Sequence, residues 1–245
     1  MSPRFAADLD GVTFTSHRAR LLGGLYKAAG DTPRPTAALV HGLPGIEQHL
    51  DIAYQLRDRG WNCLYFHFRG CWGSDGVYSL AQLADDTQAA VDWLRDQPCV
   101  DGDRIALVGA STGSHPALTC GAADPRIAAV VGVSPVIVPS AFKFPAEMAT
   151  TFAGMLTGVS GAELVSQWNA LPALWDAIGR FAPRPVLVVA AGDDPIFPMA
   201  AYAEPIRRHP HVACIERAGS DHSFSACRPW LVTTVCDWLV GTLGR

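Results

Sequence analysis

Ser111 stands between two glycines in Gly109-Ala110-Ser111-Thr112-Gly113. A serine hydroxyl is a weak nucleophile at neutral pH. It becomes reactive beside a base that takes its proton and later returns it, a task suited to imidazole. Eight histidines are available. His115 follows Ser111 by only four residues and is carried away from it along the helical stretch that begins there. His41 reads as a loop-ordering residue, and His209 and His211 bracket Pro210 ahead of an apolar run. His222 lies in the polar loop Gly219-Ser220-Asp221-His222-Ser223-Phe224, with His17, His49 and His67 elsewhere. A carboxylate that orients the imidazole would complete such a relay. Asp193 and Asp194, adjacent in Gly192-Asp193-Asp194-Pro195, compete for that place, and Asp221 reads as a loop cap.

These residues need elements to hold them. Short β-branched apolar runs alternate with longer amphipathic stretches from about residue 35 onward, the pattern of βαβ units around a mostly parallel sheet. The predicted strands are 36–40, 62–68, 104–109, 127–133, 185–190 and 212–216. Several are apolar without a break, as strands covered by helices on both faces must be. The intervening segments 46–59, 80–96, 112–122, 200–208 and 229–243 are predicted helices. Segment 12–27 reads as one or two antiparallel edge strands. Residues 137–181 break the rhythm and read as a helical cap insertion, which leaves 1–136 and 182–245 as the core. The serine sits where strand 104–109 meets the next helix. Flanking glycines suit a tight turn there, because side chains would collide with the adjoining strand and helix. The helix N-terminus beside it favours developing negative charge.

With 245 residues, 49% hydrophobic and 17% charged, the chain has ample material for a single α/β domain. Nineteen basic against twenty-three acidic side chains, without a basic block, argue against nucleic acid or an anionic membrane as partner. The longest apolar runs, such as 130–133 and 186–191, fall short of the roughly 20 residues that a bilayer span requires. Asp8 and Asp10 interrupt what a cleaved leader would need, so the expected location is the cytoplasm. Seven cysteines show no C-x-x-C pair, and most are expected to be small buried hydrophobes. Cys71, in the glycine-rich loop 70–76, is expected to be the exposed exception. That loop lacks the spacing of a phosphate or dinucleotide site and reads as a structural turn, with Arg69 bonding its backbone or meeting a substrate carboxylate. No metal-ligand constellation is visible, and no cofactor is expected.

The Gly109–Gly113 pentapeptide in its strand-to-helix setting, together with Val40-His41-Gly42-Leu43-Pro44-Gly45 and Phe68-Arg69-Gly70-Cys71-Trp72-Gly73-Ser74-Asp75-Gly76, resembles the α/β-hydrolase superfamily. Within it the chain is similar to the serine-aminopeptidase-like and cinnamoyl-esterase-like groups. The resemblance implies the α/β-hydrolase fold with Ser111 as nucleophile and His222 as base. It also implies an acid before Pro195, Asp194, although the glycine stands one place closer than the family pattern has it, which leaves Asp193 as the alternative. The backbone N–H groups of Leu43 and Thr112 would form the oxyanion hole. The implied reaction is carboxylic ester hydrolysis through an acyl-enzyme, on a small-molecule ester or acyl substrate. A peptidase, amidase, thioesterase or acyltransferase would use the same triad. A non-catalytic small-molecule receptor on this fold is the rival of another class. Met148, Phe152, Met155, Trp168 and Trp175 in the insertion are candidate pocket residues. Oligomeric state and acyl preference are not legible.

Overall fold

The computed structural model describes residues 3–244; residues 1, 2 and 245, the outer ends of the expected core, lie outside the described residues. The chain opens with a hairpin, β1 (Asp8–Ser16) and β2 (Ala19–Lys27), turning at His17 with a positive φ of 52°. Such φ values match the twist of hairpin turns. There follow β3 (Arg34–Val40), α1 (Leu50–Asp58), β4 (Asn62–Phe66), α2 (Leu83–Arg95), β5 (Val100–Ala110), α3 (Ser114–Ala123) and β6 (Ile127–Val133). After β6 come α4 (Ala146–Ala153), α5 (Gly161–Ala170) and α6 (Trp175–Phe181). The chain then closes with β7 (Val186–Ala191), α7 (Ala203–Arg207), β8 (Val212–Arg217) and α8 (Arg228–Leu243).

Eight strands form one sheet in the order β1-β2-β4-β3-β5-β6-β7-β8. The β1–β2 and β2–β4 pairs are antiparallel and the others parallel. All six residues of β7 are buried. Val186, Val188 and Ala190 face the core that contains residues of α2, α3 and α6, while Leu187, Val189 and Ala191 face that of α1 and α8. Period-2 alternation thus persists although both faces are apolar, which explains the unbroken hydrophobic run. This is the α/β-hydrolase fold.

The departures from the predicted elements have local causes. The first predicted helix, 46–59, begins only at Leu50, because His49 adopts a left-handed backbone (φ 54°) that no helix continues through. The predicted insertion divides: α4 and α5 pack on each other, whereas α6 packs against α3 and sends Ile178 and Phe181 into the core. Ser160 and Glu163 cap α5 reciprocally. Cys71 is buried, contrary to expectation, because its loop is bridged to the segment after α4: Cys71 pairs with Leu156, and Thr157 N–H donates to Gly70 O. Burial pushes its thiol up to about 12. Among the described residues no helix is long and apolar enough to cross a membrane.

Arg69 anchors the loop after β4 to α2. Its Nε donates to Asp86 Oδ1 at 2.6 Å, its backbone N–H to Asp86 Oδ2 at 3.0 Å, and its Nη2 to Gln82 O. Both side chains are largely withdrawn from water, so removing Asp86 leaves the guanidinium only the half-exposed Asp85 carboxylate, 3.7 Å away, as counter-charge. Asp86→Ala should therefore cost about 3–5 kcal/mol of stability, read from urea midpoints. A loss under about 1 kcal/mol, the range of exposed pairs, would show that the anchor is not needed.

Candidate active site

Ser111 follows the last residue of β5 with φ 49°, a left-handed conformation that a serine holds only under constraint. The glycines beside it make that turn possible. A Cβ on Gly109 would lie 2.5 Å from Ser114 Cα, and one on Gly113 would overlap the carbonyl oxygens of Val40 and His41. Buried Ser114 closes the turn by donating to Ser111 O at 2.5 Å and accepting from Val136 N–H at 2.8 Å. The serine side chain is thereby presented at the C-terminal edge of the parallel strands, where open α/β sheets hold their ligands.

Two further loops at that edge converge on it. His222 Nε2 stands 2.9 Å from Ser111 Oγ, and His222 Nδ1 stands 2.7 Å from Asp194 Oδ2. The ionised carboxylate only accepts, so Nδ1 carries the hydrogen and Nε2 of the neutral ring accepts from the serine hydroxyl. Asp194 has a fully buried side chain, and that burial opposes its charge. The hydrogen bond from His222 and the N–H groups of Phe197 and Ile196, which donate to its Oδ1, outweigh the burial and hold its pKa below the usual value. A hydroxyl hydrogen-bonded to an imidazole that a buried carboxylate orients can be deprotonated as it attacks, with the resulting imidazolium stabilised in place.

The neighbouring candidates stand apart from this chain of bonds. Asp193 is exposed, and its backbone N–H donates to Ser220 O. Asp221 accepts from Ser225 N–H and caps its loop. His115 Nε2 donates to Pro172 O, and His211 Nε2 donates to Ile178 O. His41 donates from Nδ1 to Gly42 O at 2.8 Å and accepts from Phe68 N–H at Nε2, so it orders the loop that carries Leu43.

Two cavities open on Ser111 and His222. The first, about 220 Å³, is lined by Leu43 and Thr112 and walled by aromatic residues of the insertion and of the loop after β7, including Phe142, Phe144, Trp168 and Phe197. Met148 and Phe152 also line it, whereas Met155 and Trp175 line neither cavity. Met155 lies past the end of α4 with its side chain exposed, and Trp175 begins α6, which is drawn to α3. Trp168 offers no polar handle, because its Nε1–H is spent on the carbonyls of Pro139 and Phe142. The second cavity, about 310 Å³, is lined by residues 42–47 and His49, among them Ile46 and Glu47, which are 64% and 53% exposed. Phe152 walls both.

Ser134, His49 and Arg228 were not legible as site residues. Ser134, with φ 42° just past β6, donates from Oγ to His222 O at 2.8 Å and so fixes the histidine loop from behind. Its partner is 88 residues away, and nothing in its immediate sequence signals the bond.

The model of the X-Pro dipeptidyl-peptidase (S15) family matches residues 23–145. The chain is 30% identical over 203 residues to the uncharacterized protein YfhR of Salmonella typhimurium, covering 78% of this chain and 66% of that protein. It is 32% identical over 133 residues to the polyketide transferase grgF of a Penicillium species, covering 53% of this chain and 43% of that one. The chain therefore spans at most two thirds of the length of these curated relatives. Among solved structures, the α/β hydrolase GrgF from Penicillium sp. sh18 superposes with a TM-score of 0.78 at 21% identity, over 97% of this chain and 100% of that chain. Est1E of Butyrivibrio proteoclasticus with bound ferulic acid gives 0.78 at 18% identity, over 96% and 100%.

His41 also links the site to pH. Burial pushes its pKa down to about 4, opposed in part by its bond to Gly42 O. Unfolded, the ring titrates near 6.5, so the unfolded state holds the extra proton between those values and stability falls as pH drops through that window. This ring alone should make the fold about 2 kcal/mol less stable at pH 5 than at pH 7. Denaturant titrations at both pH values check this: buried His49 is shifted the same way, so His41→Gln should remove about 2 kcal/mol of the total difference and leave the rest. An equal difference in the variant would remove His41 as its source.

Proposed function

Because the chain belongs to the α/β-hydrolase superfamily of serine hydrolases, we propose that it cleaves a carboxylic ester through an acyl-enzyme intermediate, with Ser111, His222 and Asp194 as its triad. The observation that carries this reading is the continuous Ser111–His222–Asp194 hydrogen-bond chain opening on an aromatic cavity. His222 takes the Ser111 proton as Oγ bonds to the ester carbon. The carbonyl oxygen becomes an oxyanion, held by the backbone N–H groups of Leu43 and Thr112. As the tetrahedral intermediate collapses, the bond to the leaving oxygen breaks and His222 gives that oxygen its proton. Water then attacks the acyl-enzyme by the same route, leaving the acid and free Ser111.

The segment between β6 and α6 serves as a cap over the acyl group. At about 220 Å³ the aromatic cavity is larger than the roughly 150 Å³ void that accepts benzene. It suits an aryl or medium-length acyl chain, and His222 is the only ionisable side chain in its lining. The leaving alcohol must diffuse away while the acyl group stays bound. The second cavity, lined in part by exposed Ile46 and Glu47, is its natural exit. A second reading, transfer of the acyl group to an alcohol in place of water, is favoured by the likeness to a polyketide transferase. Cleavage of a peptide is favoured by the S15 model.

A fluorophosphonate probe should label the folded protein and fail to label Ser111→Ala. On p-nitrophenyl esters, His222→Ala and Asp194→Ala should each lower kcat by roughly 10³-fold or more, as triad losses do elsewhere. Asp193→Ala should change kcat little. Absent labelling of the wild type would favour the receptor rival, and equal small losses in the two aspartate variants would unseat Asp194. A side-by-side panel of esters, thioesters and aminoacyl amides, with an alcohol acceptor added, separates the readings by which bond breaks and what captures the acyl group.

A further inference from the structure

His49 forms part of the wall of the second cavity, together with Ser111 and His222, yet takes no part in their hydrogen-bond chain. Its ring is buried at the start of α1 on a left-handed backbone. Arg228, the first residue of α8, reaches it across the fold. The guanidinium is locked to Asp51 by a two-pronged ion pair, Nε to Oδ2 at 2.9 Å and Nη2 to Oδ1 at 2.6 Å. Its remaining Nη1 stands 3.1 Å from His49 Nδ1 and 3.4 Å from Ser223 O.

A guanidinium only donates, so Nδ1 must accept, and the neutral ring must carry its hydrogen on Nε2. The ring is neutral at ordinary pH, since burial and the adjacent guanidinium push its pKa down to about 4. Among the described residues nothing accepts a hydrogen bond from Nε2. A donor with a dictated tautomer, on a residue that lines the cavity and with no partner among the described residues, is open to an acceptor.

Resting on the esterase reading, we propose that His49 is a specificity-determining residue whose Nε2–H donates to a neutral oxygen of the leaving group. It selects alcohols that carry an ether, carbonyl or hydroxyl oxygen. Glu47 narrows the choice further. Its Oε1 accepts the His49 backbone N–H at 2.7 Å and stands 4.0 Å from Arg228 Nη2; as Arg228 is shared with Asp51, the two carboxylates leave this wall net negative and disfavour anionic leaving groups.

Two esters of one medium-length acid test this: butyl and 2-methoxyethyl, which differ by one methylene exchanged for an ether oxygen. The readout is the methoxyethyl-to-butyl ratio of kcat/KM. His49→Asn keeps an acceptor near the Nδ1 position, on a residue that tolerates a left-handed backbone, and removes the Nε2 donor. His49→Gln returns a donor at that reach. The wild-type ratio should exceed the His49→Asn ratio by about fivefold, the worth of one neutral hydrogen bond, and His49→Gln should recover part of it. Long-range proton–nitrogen NMR of the wild type should find His49 as the Nε2–H tautomer between pH 5.5 and 8, a measurement independent of how well a variant folds. Equal ratios in wild type and His49→Asn, or an Nδ1–H tautomer, would overturn the role of His49 while leaving the esterase reading intact. Turnover of neither ester by the wild type would defeat the esterase reading, and the role of His49 with it.

Discussion

The left-handed backbone at Ser111 is the constraint on which the rest of the site depends. Such a conformation costs on the order of 1–3 kcal/mol and persists only where its surroundings dictate it. Here β3 and β5 run side by side, and Gly113 packs against the carbonyls at the end of β3 with no room for a side chain. The helix can come that close only because of the glycine. Ser114 then fastens the turn through two hydrogen bonds. Strain that would unfold an exposed turn is absorbed by a sheet buried on both faces, and the hydroxyl is held in one place before any substrate arrives.

Parallel strands do the remaining positioning. Because β3, β5, β6, β7 and β8 point the same way, the loops after each of them gather at one edge. Each supplies one part: His41 and Leu43 after β3, Ser111 after β5, Ser134 after β6, Asp194 after β7 and His222 after β8. Asp194 remains charged under burial because two backbone N–H groups and the imidazole replace the water it has lost. Charge that would be prohibitive alone is tolerable when every lone pair is met. Ser134 shows the same economy on the backbone side, holding the carbonyl of the residue whose ring must not swing.

What the amino-acid order disclosed follows the range of the forces involved. The Gly109–Gly113 turn was legible because the reason for its glycines lies within a few residues, and the strands were legible because burial on two faces leaves an unbroken apolar run such as 186–191. The crossover helices follow from the same alternation, whereas the order of the strands across the sheet does not. Helix starts were less legible. Residues 46–49 have helical composition, yet His49 breaks the backbone there for the sake of a partner 179 residues away. The pocket residues divided for a similar reason: Phe152 and Trp175 look alike in a hydrophobic count, but α4 packs with α5 while α6 is drawn to α3. Cys71 looked open because its loop is rich in glycine, and its cover comes from Leu156, 85 positions later. Local steric demands are written locally, whereas tertiary cover is not.

Phe152 is the one phenyl side chain that lines both chambers. The widths of the two chambers are therefore not independent, because a smaller side chain at this position would enlarge both at once. The shape of both chambers can thus change through one position on α4, while Ser111, Asp194 and His222 stay on loops anchored to the sheet.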